Sequence, residues 1–452
     1  MSSNTRTAAY YILNNIEDRD KTLDSVIEDF FNKYPDAHQR EKSFLFALVY
    51  GVLRWRGRLD WIIEKCSGVK LKNIEHEVLN ILRLGLFQII FLDRVPVSAA
   101  VNTSVELAKK FKGPWIVKYV NAVLRKAAGE YNNIKFPDHS CDPAEELAIS
   151  MSFPKWMVER WLARFGYAET KALLNSMNQI PDLTVRTNTL KISRKQLFES
   201  LSRDVDTINI APYAPDGICF SGPKTLIYKM ESFQNGWFQV QDEAAQLVTF
   251  LFDPRPGETV LDACAGLGGK TGHIAQLMKN KGKIIAIDNN EDRLNKLESE
   301  IKRLGISIVS TKKHDLTKAL DVKELPFFDK ILLDAPCSGI GVIRRNPDIK
   351  WMMNPEKLTK KKEMQIQLLN NLAGYVKPSG IITYAVCSME PEENEEIVND
   401  FLKNHEKFVI EKHHLNFPLS LKPLINEKGF LKTYPHIHNM DGFFAVSFRR
   451  EK

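Results

Sequence analysis

From residue 258 onward the chain alternates short apolar segments with helical ones, and nothing else in it constrains the fold as strongly. Thr259–Asp262, Lys283–Asp288, Ser307–His314, Phe328–Asp334 and Gly380–Val386 read as strands, with Gly442–Phe448 as a late one. Between them, helical patterns run to about Asn280, over Asp292–Leu304 and over Glu363–Tyr375. Strands separated by helices form a parallel sheet covered on both faces. The ligands of such sheets bind at the carboxyl ends of the strands.

The rest of the chain differs in kind. Residues 5–130 read as helix, and the run Val78–Leu92 is apolar enough to be the central helix of a bundle. Pro137, His139, Ser140 and Asp142 read as a linker. Residues 143–240 are mixed. Helices are expected over Ala144–Ile149, from Pro154 to Phe165, and over Arg194–Leu201 with Ser193 as N-cap. Strands are expected over Leu183–Leu190 and Gly236–Val240, and a further helix over Asp242–Leu251. The division expected is therefore an all-α domain (1–140), a small α+β middle region (141–240), and an α/β Rossmann-like domain (241–452).

Net charge is +7, but Arg40–Lys126 alone holds 16 Lys and Arg against 7 Asp and Glu. A basic excess concentrated in one segment suits a polyanionic partner such as nucleic acid. The six cysteines include no C-x-x-C pair, which argues against a disulfide scaffold or a structural zinc site and suits a reducing, cytoplasmic setting. No apolar run reaches the 20 or so residues of a bilayer span, and the first twenty residues lack the pattern of a signal peptide.

The first strand leads into a glycine-rich turn, VLDACAGLGGKTGHIAQ. A P-loop would need glycine where Cys264 stands, and a dinucleotide fingerprint would need it at Thr271. S-adenosylmethionine fits better. Asp262 ends the first strand within reach of an amino group, Asp288 ends the second where it can accept ribose hydroxyls, and Asp315 follows the third beside an adenine edge. Any one of these acids alone reads as a helix cap; three, with the glycine turn, read as a methyl-donor site.

The fourth and fifth strands end in DAPCSG (Asp334–Gly339) and YAVCS (Tyr384–Ser388), so Cys337 and Cys387 emerge at the cofactor edge. A methyltransferase needs a thiol when its target carbon is a poor nucleophile. Carbon 5 of cytosine is such a target: a thiolate added to carbon 6 makes carbon 5 enamine-like. Asp334 can hydrogen-bond the cytosine edge. Spacing does not rank the two cysteines.

The segments DACAGLGGKT, DAPCSG and YAVCS resemble those of the RNA 5-methylcytosine methyltransferases of the Nol/Nop/Sun class. Gly341–Trp351 (GVIRRNPDIKW), Gly236–Leu247 and Asp441–Phe444 are similar to the branch of that class that acts on 16S ribosomal RNA, and Ile81–Phe111 with Val120–Arg125 resembles a NusB-like RNA-binding domain. The resemblance implies a cytosine-5 methyltransferase of 16S ribosomal RNA, monomeric, without a metal or a membrane partner. It implies cofactor contacts at Cys264, Ala265, Gly266, Leu267, Gly268, Gly269, Lys270, Asp288, Asp315 and Asp334, with Cys387 as nucleophile and Cys337 as helper in product release. The class usually has Ala-Pro where Gly266-Leu267 stand here. A non-catalytic assembly factor is the contrasting expectation; it would tolerate loss of Asp288, Asp334 or Cys387, and all three are present.

Overall fold

The computed structural model describes residues 5–16, 23–33, 39–318, 326–412 and 419–452. They fall into two compact units, one comprising Met1–Gln179 with Arg345–Met352, the other Ile180–Arg344 with Met353–Lys452.

The first unit is helical: α1 (Thr5–Asn15), α2 (Leu23–Lys33), α3 (Gln39–Ser67), α4 (His76–Phe91), α5 (Val97–Phe111), α6 (Pro114–Glu130), α7 (Pro143–Ser150) and α8 (Lys155–Asn178). Helix α4 is its axis, touching α1, α3, α5 and α6, and every residue from Val78 to Ile89 is buried. The polar residues in that run are paired, as burial demands. Arg83 donates to both oxygens of Asp60 at 2.6 and 2.8 Å and to Asn80 at 2.9 Å. Gln88 donates to the Leu84 carbonyl and accepts from Arg6.

Helix α8 outruns the expected stop at Phe165. Gly166 leaves helical geometry (φ 75°, ψ 177°), yet the chain resumes a helical path to Asn178. Into the same unit comes the short helix Ile349–Met352. The buried Lys350 ammonium donates to the carbonyls of Arg54 (3.0 Å) and Ser152 (3.1 Å) and to Asn178 Oδ1 (2.7 Å). Trp351 Nε1 donates to the Leu53 carbonyl at 2.6 Å. Among the described residues, no helix is long and apolar enough to cross a membrane.

The second unit holds two sheets. The smaller is antiparallel, in the order β2 (Thr207–Ile210), β3 (Gly217–Ser221), β1 (Leu183–Thr187), β4 (Phe238–Val240). β1 ends earlier than expected because Asn188 turns the chain, its side-chain amide donating to the carbonyls of Gly236 and Leu304. Ser193 caps the next helix in a full capping box with Gln196. β2 and β3 were not expected. β2 alternates polar and apolar residues (Thr-Ile-Asn-Ile) but spans only four positions and is largely exposed; its pairing with β3 supplies what so short a pattern does not.

The larger sheet has the order β10 (Phe408–Ile410), β12 (Phe444–Arg450), β9 (Val376–Val386), β8 (Phe328–Asp334), β5 (Thr259–Ala263), β6 (Lys283–Asp288), β7 (Val309–Lys313), with β11 (Leu431–Lys432) beside β12. Strands β9, β8, β5, β6 and β7 run parallel, which is the doubly wound sheet expected from the alternation. The chain goes outward from β5 through β6 to β7, then returns to β8 on the other side of β5. The crevice between the carboxyl ends of β5 and β8 is therefore the switch point, where such folds bind ligands.

Candidate active site

The turn after β5 is built from left-handed residues: Cys264 (φ 61°), Gly266 (φ 57°) and Gly268 (φ 81°). Only glycine adopts that region without cost; at Cys264 the conformation costs about 1–2 kcal/mol. Ala265 N–H donates to the Ile287 carbonyl at 2.9 Å and holds the turn to β6. A Cβ at Gly268 would run into Leu297, whereas a Cβ at Gly266 or Gly269 would meet nothing within 4 Å. The backbone there faces open space at the N-terminus of the helix Gly269–Leu277, a placement suited to a polar ligand. Leu267, at the tip, is 58% exposed.

Four carboxylates surround this turn. Asp262 is fully buried; Thr271 Oγ1 donates to its Oδ2 at 2.6 Å, while Oδ1 has no hydrogen-bond partner among the described residues. Burial pushes the Asp262 carboxyl up to about 7, against the Thr271 bond. Asp288 accepts from Gly266 N–H on one oxygen and Asn290 N–H on the other, both at 2.9 Å. Asp315 accepts from the Thr317 amide and hydroxyl, bonds that hold it below the usual carboxylate range. Asp334 receives Lys270 Nζ at 2.6 Å. Burial and then the charges of Asp288, Asp334, Asp262 and Asp315 push the Cys264 thiol up, so one sulfur senses all four acids.

Lys270 links this cluster to the cysteines. Burial pulls its ammonium down, but Asp334, Cys387 and Asp262 outweigh burial and raise it. Cys337 and Cys387 lie on turns leaving the adjacent parallel strands β8 and β9, with Sγ atoms 3.2 Å apart. The hydrogen bond with Cys387, reinforced by burial, pushes Cys337 far above an ordinary thiol. Gly341 N–H donates to the Cys387 carbonyl at 3.0 Å, and Gly442 N–H donates to the Gly341 carbonyl at 2.9 Å. The two cysteine turns are thus tied by backbone as well as by sulfur.

Three buried side chains escaped the sequence reading. Arg186, on an inward position of β1, donates to Gly269 O (2.9 Å), Gln239 Oε1 (2.7 Å), Gln276 Oε1 (3.2 Å) and Gln241. It fastens the small sheet to the start of the cofactor-side helix; burial pulls it to about 9, so it stays cationic near neutral pH. Arg344 donates to Asp441 at 2.7 Å and pairs with Asp242 at 3.4 Å, joining two segments singled out above only for their family likeness. Glu393 sits behind the cysteines, fully buried. An arginine at an inward strand position was the one local signal available.

The family described as "16S rRNA methyltransferase RsmB/F" matches residues 249–449, the NusB family matches 3–129, and the "RsmF/B-like, ferredoxin-like domain" matches 153–226. The chain is 35% identical over 447 residues to the "Probable ribosomal RNA small subunit methyltransferase B" of Synechocystis, covering 98% of this chain and 99% of that one. It is 34% identical to the Bacillus subtilis protein of the same name, over 95% and 94% of the two chains. The crystal structure of PH0851 superposes with a TM-score of 0.82 at 28% identity, covering 100% of this chain and 99% of that one.

Proposed function

Because the chain belongs to the RsmB/F family of 16S rRNA methyltransferases, we propose that it moves a methyl group from S-adenosylmethionine to carbon 5 of a cytosine in 16S ribosomal RNA through a covalent cysteine intermediate. The observation that carries this reading is the pair of thiols 3.2 Å apart at the carboxyl edge of the sheet. A methyltransferase acting on a nitrogen or oxygen has no use for two cysteines there.

The donor site fits on the structure's own terms. The free Asp262 Oδ1 suits the cationic amino group of the cofactor, and Asp288 has lone pairs left for ribose hydroxyls after its two backbone bonds. S-adenosylmethionine supplies an electrophilic methyl group; the residues of this chain do the rest. Cys387 Sγ, with the Lys270 ammonium in its field, adds to carbon 6, while Asp334 bonds the base edge. Carbon 5 takes the methyl group, its proton leaves with help from Cys337, and the carbon 6–sulfur bond breaks to restore the Cys387 thiolate. The cytosine must leave its stack to reach these groups. The basic helical unit supplies contacts to the RNA backbone, and the reading places the protein in the cytoplasm as a monomer.

The deciding experiment maps 5-methylcytosine in 16S ribosomal RNA from cells with and without the gene. Loss of one modified cytosine is expected; an unchanged map, or a change at another atom, overturns the reading.

A pH prediction follows from Asp262. Its ionised form is the one that attracts an ammonium, and burial holds it protonated below about 7. Cofactor affinity should therefore fall as pH drops through that value, by up to about tenfold per unit. Calorimetric titrations at pH 6, 7 and 8 measure it, and Asp262→Asn should flatten the profile. A flat profile in the wild type would remove Asp262 from the site.

A further inference from the structure

We propose that Glu393 is a positioning residue for the thiol pair, holding the two cysteine-bearing turns in register through Ser338 and Ser388. The proposal rests on the covalent mechanism above.

Glu393 ends a short helical turn, Pro391–Glu393, six residues beyond Cys387. It is fully buried, and both carboxylate oxygens are engaged. Oε1 accepts from the Ser338 amide at 2.8 Å and from Gln365 Nε2 at 3.0 Å; Oε2 accepts from the Ser338 hydroxyl at 2.5 Å. An acid receiving three donors acts as a carboxylate, which has only lone pairs to offer. Ser338 directly follows Cys337, and Ser388 directly follows Cys387. Their hydroxyl oxygens lie 3.3 Å apart. Ser388 Oγ also accepts from the Glu390 amide, and Ser338 Oγ from the Ile340 amide. One buried anion thus holds the residue after Cys337 directly and, through the Ser338 hydroxyl, reaches the residue after Cys387.

The surroundings of Glu393 are themselves fixed. Gln365 Nε2 donates to the Pro336 carbonyl at 3.1 Å, and the Tyr384 hydroxyl reaches Gln365 Oε1 (3.1 Å) and the Glu393 carbonyl (2.7 Å). The turn before Cys337 and the strand before Cys387 are therefore gripped by the same network. Such a network is worth most when fully satisfied, because each unpaired member would be left in a dry interior.

The charges around the pair are unequal. Lys270 feels Cys387, whereas Glu393 acts on Cys337 together with Cys387 itself, and Tyr384 faces Cys337 as well. Burial, Cys387 and Glu393 thus all act on Cys337 against its ionisation.

The test uses full-length wild type, Glu393→Gln and Glu393→Asp, with RNA carrying 5-fluorocytosine to trap the adduct on a denaturing gel. Glu393→Gln should bind S-adenosylmethionine as the wild type does, within about twofold, and lose at least about tenfold in kcat with KM for RNA little changed. Mass-spectrometric mapping of alkylation at fixed pH should show Cys337 reacting about tenfold faster, since a unit of thiol pKa is a tenfold change in thiolate. Glu393→Asp, which keeps the charge, should restore the protection of Cys337. Wild-type kcat and alkylation in Glu393→Gln would overturn the proposal, as would a joint loss of cofactor affinity and melting temperature with kcat per bound cofactor intact. Should Glu393→Gln lose its folding transition, Ser338→Ala, which removes one hydroxyl, decides the matter by the same readouts. An adduct with wild type but an unaltered one with Glu393→Gln sinks this proposal alone; no adduct with wild type sinks the covalent mechanism beneath it.

Discussion

Cys387→Ala should make neither product nor adduct, and Cys337→Ala should make an adduct it cannot release. The first variant lacks the sulfur that adds to carbon 6. Without that addition carbon 5 stays aromatic, and turnover should fall by roughly 10^4-fold or more, as when other nucleophiles are removed. The second variant keeps the addition and the methyl transfer but loses the group 3.2 Å away that assists proton removal and release. It should accumulate a covalent protein–RNA species, visible as a slow band on a denaturing gel. Cofactor affinity should be unchanged in both. The reverse pattern, with adduct in Cys387→Ala only, would exchange the two roles.

The second large effect is expected at a residue with no side chain. A Cβ on Gly341 would lie 1.8 Å from the Gly442 carbonyl oxygen and 2.9 Å from that of Cys387. Both are backbone atoms that cannot swing aside, and Gly341 is hydrogen-bonded to both residues. Gly341→Ala must part the strap that holds Cys387. A displacement of about 1 Å at a reacting group costs on the order of 10^2-fold in rate, so kcat should drop by about that factor while cofactor affinity holds. Gly442→Ala is the control: its new methyl group meets the flexible Met389 side chain at 2.8 Å and only one backbone atom, Gly341 Cα, at 3.0 Å. Its loss should be much smaller. Equal activities in the two variants would show that the strap does not position the thiol.

What could be read in the sequence was local. Asp262, Asp288 and Asp334 were legible because each stands at or one residue before the end of an apolar strand that announces itself within a few residues. Capping by Ser193 was legible for the same reason: serine and Gln196 stand three apart. Glu393, Arg186 and Arg344 were not, because their partners lie tens of residues away. Ser338 is 55 residues before Glu393, Gln276 is 90 after Arg186, and Arg344 reaches 97 residues to Asp441 and 102 back to Asp242. Each looks like an ordinary polar residue until the fold closes around it. The same holds for β2, whose alternation over four largely exposed residues is too short to announce a strand and whose existence depends on the register with β3. Helix α8 misled in the opposite way: it was expected to end at Phe165, yet beyond the non-helical Gly166 it runs on to Asn178.

The placement of Lys350 bears on how the protein is made. The helical unit takes its last eight residues, Arg345–Met352, from a point about 170 residues downstream of Gln179. At roughly 5–20 residues per second, a ribosome needs on the order of 10–35 s to cover that distance. Throughout that interval the carbonyls of Arg54 and Ser152 and the side chain of Asn178 wait for the ammonium that will bind them. The nascent bundle is then a near-complete fold with an open polar slot, held provisional until half of the strands of the larger sheet, β5 to β8, have been synthesised. Cutting the chain after Gln179 would freeze it in that state, and a protease clip at that one junction would not free it, since Arg345–Met352 would still be seated inside.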